Sequence, residues 1–175
     1  MHLEEFYDYK NQLMEDLLTT DSIVELLIDK PIDEMDDGVE SLAYNQVYPC
    51  EYVSETVEDG RTIICFDVDI QKVSNSPKSG NKTFLYPTLY VWVFAHKSKL
   101  RLPNGGGVRT DKICSEICKK INGSFKYGLG ELELVSVRRF APMTYYQGKV
   151  MTFYARDFSR TFNPNKEIPA NRKGR

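Results

Sequence analysis

Two periodicities divide the chain. Between residues 3 and 28 apolar positions recur at helical spacing: Phe6, Tyr9, Leu13, Met14, Leu17 and Leu18 form one stripe, and Ile23, Val24, Leu26, Leu27 and Ile28 form another. The spacing predicts a long helix over 3–18, a break at Thr19-Thr20-Asp21, and a short helix from Ser22. There Ser22 and Glu25 are placed for a capping box, and Pro31 stops the run. Five of the eight residues from Asp33 to Glu40 are acidic, which reads as a solvated loop.

Beyond residue 46 the period becomes two. Val47–Val57 is strand-like, with Pro49 near its start as at a sheet edge. Asp59-Gly60 suits a tight hairpin turn, and Thr62–Val73 is its expected partner. Ile64, Phe66, Val68 and Ile70 share one face of that partner; Cys65, Asp67, Asp69 and Gln71 share the other. After a polar loop at 74–82, Thr83–His96 is apolar on both faces, with Leu89, Val91, Val93 and Ala95 opposed to Tyr90, Trp92 and Phe94. Such a strand belongs at the centre of a sheet, with helix over one face and helix or a neighbouring subunit over the other. A basic loop at 97–109 containing Gly105-Gly106-Gly107 leads to a helix over 110–122, capped by Thr110 or Asp111 and ended by Gly123. Strands at 132–140 and 148–160 follow. The fold class is α+β: an antiparallel sheet of about four to five strands flanked by two main helices, with a long N-terminal helix. Residues 1–162 make one domain. Residues 163–175, with four bases against one acid, read as an extended basic arm.

Charge changes this picture. Residues 1–60 hold seventeen acids against Lys10 and Lys30, a net of −15; residues 61–175 hold eight acids against twenty-one bases, a net of +13. Copies of such a chain complement one another electrostatically. No apolar run reaches the ~20 residues needed to cross a bilayer, and the acidic first residues set the expectation of a protein made in the cytoplasm. Cys50, Cys65, Cys114 and Cys118 show no CxxC spacing, and His2 and His96 are the only histidines. Cys114 and Cys118 therefore read as small apolar residues of a buried helix stripe, and no metal or cofactor is expected.

Two chemical alternatives remain. Asp67 and Asp69 point to one face, as metal-binding carboxylates do in a metal-dependent nuclease or other DNA-processing enzyme, although that chemistry needs a third ligand. The basic half, with Tyr145 and Tyr146 to stack on bases, suits a nucleic-acid-binding module.

The order of elements and several local patterns resemble phage tail-terminator proteins, also called tail-completion or minor tail proteins. The resemblance spans about residues 10–160 and rests on DSIVELLI (Asp21–Ile28), VYP (Val47–Pro49), TLYVWVFAHKSKL (Thr88–Leu100), the helix at 110–122 and GKVMTFYARDF (Gly148–Phe158). It implies a non-enzymatic subunit of a hexameric ring in the virion, assembled in the host cytoplasm, that caps the tail tube and joins it to the head or neck. Implied partners are further copies of the chain, the tube protein and head-completion or neck proteins, with non-specific contact to DNA in the lumen and none to a membrane. Lys97, Lys99, Arg101, Arg109, Lys119 and Lys120, with Arg172 and Lys173 in the arm, are then the expected subunit or partner contacts. The acidic segment 33–40 and the arm after Asn163 depart from the family pattern.

Overall fold

The computed structural model describes residues 4–51, 60–74 and 83–155. The first helical stripe becomes α1 (Glu4–Leu18), which buries Tyr9, Leu13, Met14, Leu17 and Leu18. The second becomes α2 (Asp21–Ile28). The corner between them is held by hydroxyls: Thr20 Oγ1 donates to Asp16 O at 2.6 Å and Thr19 Oγ1 to Glu15 O at 2.8 Å. The expected capping box does not form, because Thr20 occupies the N-cap and Ser22 Oγ bonds Glu116 instead. Asp29 closes α2 at φ 64°, a left-handed conformation that Asp tolerates better than most side chains. The acidic segment is solvated as expected, with Asp33, Glu34, Asp36, Asp37 and Glu40 all exposed. It forms 3-10 turns at Ile32–Glu34 and Val39–Leu42, anchored by buried Leu42.

Five strands form one sheet in the order β1-β2-β3-β5-β4: β1 Val47–Tyr48, β2 Thr62–Ser74, β3 Thr83–His96, β4 Leu132–Phe140 and β5 Tyr146–Ala155. β3 is central and antiparallel to both neighbours, as its two apolar faces require. The sheet is mixed rather than antiparallel, because β1 runs parallel to β2 with Val47 opposite Ile64. Val47–Tyr48 is therefore not the first arm of a hairpin with β2. Gln46 fixes it in place: its Nε2 donates to Leu27 O and Thr62 O, and its carbonyl accepts from Ile64 N at 2.8 Å. Residues 49–51 do not continue the strand, and the rest of its expected course to Val57 lies outside the described residues with the whole of 52–59, loop 75–82 and everything after 155.

The helix α3 (Arg109–Ile121) starts one residue before its expected first residue, with Val108 at the N-cap, and buries Ile113, Cys114, Ile117 and Ile121. α1, α2 and α3 all contribute to one core with Ile64, Phe66, Leu89, Val91, Val93, Met151 and Phe153 from the sheet. On the opposite face a second, smaller cluster gathers Ile63, Cys65, Phe94 and Tyr146, bordered by Tyr48, Trp92, Phe140 and Met143. Gly148 makes this cluster possible. It pairs with Phe94 on one side and Phe140 on the other, and the two rings meet across it at 5.7 Å.

Candidate interaction surface

Alternation along each strand assigns Tyr90 and Trp92, Val150, Thr152 and Tyr154, and Ser136 and Arg138 to the face turned away from the three helices. Among the described residues no helix covers it. A bulge between Leu134 and Ser136 adds Val135 to the same face. Tyr90, Val135, Ser136, Arg138, Val150, Thr152 and Tyr154 together line a depression of about 360 Å³. Tyr90 in its lining stacks on Trp92 with centroids 5.7 Å apart, and Tyr154 stands 52% exposed at the same depression. Among the described residues charge on this face is mixed, with Asp69 as well as Arg138.

The bases expected to make contacts do not form one patch. Lys97, Lys99, Arg101 and Arg109 lie where β3 gives way to α3, whereas Lys119 and Lys120 close the other end of α3. The two groups are separated by about 15 Å of helix. Lys97 stands over the exposed Tyr145 ring at 5.8 Å, and Arg101 is exposed. Arg109 is not a surface contact, for it is 2% exposed and ties three segments together. Its Nε donates to Lys99 O at 2.7 Å, its Nη1 to Leu26 O at 2.6 Å, and its Nη2 to Asp29. Lys99 joins the same carboxylate at 3.0 Å. Burial opposes the charge on Asp29, but the hydrogen bonds from Arg109 and Lys99 outweigh it and hold the carboxyl below its ordinary range. Arg172 and Lys173 lie outside the described residues.

A matching latch sits at the far end of α3. Asp16 is buried on α1, where its carboxylate accepts from Lys126 Nζ and from Tyr127 Oη at 2.8 Å. Burial again opposes ionisation and the two hydrogen bonds prevail, so the Asp16 carboxyl also lies below its usual range. The pairs Arg109–Asp29, Lys99–Asp29 and Lys126–Asp16 all join the basic half to the acidic half within one chain. Part of the charge segregation is thus spent on folding. Sequence reasoning missed both latches, although Arg109 stands in register with Ile113, Ile117 and Ile121 at four-residue spacing, which marks a buried stripe.

Asp67 is held by Lys10 Nζ at 2.6 Å, and its own carboxylate accepts the N–H of Val68. Among the described residues no three His, Cys, Asp or Glu side chains gather as a metal site would require. Cys114 and Cys118 border a second groove with Leu134, Val137 and Met151, and burial pushes the Cys114 thiol up to about 12.

No described helix is long and apolar enough to cross a membrane. The chain matches no curated protein. The sequence profile of the YomW family matches residues 20–155, from the N-cap of α2 to the last residue of β5. That family carries a phage or prophage name. The chain therefore belongs to the YomW family and is a phage-associated protein.

Proposed function

We propose that this protein is a structural, non-enzymatic subunit of the ring that caps a phage tail tube and joins it to the head or neck. The observation that carries the reading is the sheet face that no described helix covers, with its stacked Tyr90 and Trp92 and its exposed Tyr154. A face of this kind in a phage-associated chain suits a protein neighbour, here the tube or neck protein, because aromatic side chains give large contact area at low entropic cost. Mixed charge on the face favours a protein partner over nucleic acid.

Deleting the gene should leave heads full of DNA beside unjoined or abnormally long tails in electron micrographs. Tyr154→Glu should reproduce that phenotype. Because Tyr154 stands opposite Glu133, the new carboxylate should also lower stability by about 1 kcal/mol, so a melting curve must show the variant still folded at the assay temperature. Normal, joined tails in the deletion would refute the reading, as would metal-dependent DNA cleavage by the purified protein.

A further inference from the structure

We propose that copies of this chain join through their sheet edges: β4 of one copy pairs antiparallel with β2 of the next, Arg138 opposite Asp69 and Val137 opposite Ile70. This rests on the ring reading for the number of copies, while the pairing itself follows from the two edges.

Both edges are open among the described residues. Among the described strands β1 pairs with β2 only at Ile64 and Cys65, so 67–74 has no described strand beside it. β4 is the opposite edge. Its first half is closed by the chain after α3: Leu132 N donates to Ser124 O, Gly123 N to Leu132 O, and Leu134 N to Asn122 Oδ1. From Ser136 to Phe140 no described group bonds to the outer edge. Beyond Phe66 the N–H of Val68 rests on the neighbouring Asp67 carboxylate, a local contact that a strand partner would replace, and Lys10 holds the same carboxylate.

The phase of the two edges agrees. Within a strand, residues facing the same side direct their N–H and C=O to the same edge. Ile64 and Leu134 face the helices and bond outward. Val68 and Ile70 share the phase of Ile64. Val137 and Arg139 share that of Leu134, because the bulge shifts the count by one. Val137 and Arg139 can therefore exchange about four backbone hydrogen bonds with Ile70 and Val68. In that register the side chains also match. On the helix side Val137, 48% exposed, meets Ile70, and on the open side Arg138 meets the exposed Asp69. A register two residues away would set Arg138 against Asp67, which Lys10 already holds, or against Gln71.

Direction agrees as well. β2 and β5 run one way, β3 and β4 the other. Rotation about an axis along the strands preserves each direction, so β4 meets the next β2 antiparallel and the alternation continues around a closed ring.

The test is a charge exchange in the full-length protein, read as native mass and sedimentation, free and on purified tail tubes. Arg138→Glu should weaken association at least about tenfold, since it faces Asp69 with a like charge. Adding Asp69→Arg to that variant should restore it. Val137→Pro, which removes an outward N–H, should weaken association without changing the monomer's melting temperature. Association unchanged in Arg138→Glu and Val137→Pro would overturn the pairing while leaving the ring standing. Loss without rescue by Asp69→Arg would overturn this register. A wild-type protein that stays monomeric both free and on tubes would overturn pairing and ring together.

Discussion

Gly148→Ala is expected to leave the protein insoluble or only marginally folded. A Cβ at this position would collide with the carbonyl oxygen of Val93 and stand 2.6 Å from the Cα of Phe94, both backbone atoms of the central strand. No side-chain rotation relieves such contacts, so β5 must separate from β3. Overpacking against backbone lies at the upper end of the usual range, about 3 kcal/mol, a large share of the ~5–15 kcal/mol that holds a domain together. Soluble yield and a urea midpoint would measure it. A Gly148→Ala protein within 1 kcal/mol of wild type would show that β5 does not approach β3 as described.

Arg109→Met should lower stability by about 3 kcal/mol, the low end for breaking a buried ion pair, because Lys99 still partners Asp29 and Asp29 is partly exposed. Methionine fills much of the volume, yet the carbonyls of Leu26 and Lys99 lose their donor. In a protein of this size the melting temperature should fall by roughly 6–12 °C. Arg109→Lys should recover only part of it, since one ammonium cannot serve three acceptors on different segments. A melting temperature unchanged in Arg109→Met would contradict the latch.

Acid should reveal the same contact. The folded Asp29 carboxyl lies below its unfolded value, so the stability it contributes is complete above about pH 4 and is lost as pH falls through the folded value. The gap between wild type and Arg109→Met should therefore narrow below about pH 4. Asp16 titrates in the same sense.

The helices were legible because caps and stripes act locally: Thr19 to Asp21 break the first pattern, Pro31 ends the second, and the isoleucines of α3 recur every four residues. β3 was legible as central because both its faces are apolar. What escaped depends on segments distant in sequence. The parallel pairing of β1 follows from Gln46 bridging Leu27 and Thr62, and no local pattern encodes it. The bulge in β4 appears only when Leu134 and Val137 are both required to face α3. Arg109 was counted with the surface bases by charge alone, although its place on the isoleucine stripe argued for burial. Of the candidate surface, the need of β3 for cover on a second face was readable, whereas the groove and its partners in β4 and β5 were not.

The two latches also set an order of events during synthesis. Asp29 waits for a guanidinium 80 residues later and Asp16 for a hydroxyl 111 residues later. At the ~5–20 residues per second of a ribosome, α1 and α2 emerge roughly 6–25 s before β5 exists to complete the core beneath them. Through that interval Leu13, Leu17, Ile23, Val24 and Leu27 remain without the sheet that shields them in the finished protein. The amino-terminal helix pair therefore gains its apolar cover and the partners of Asp16 and Asp29 only late in synthesis.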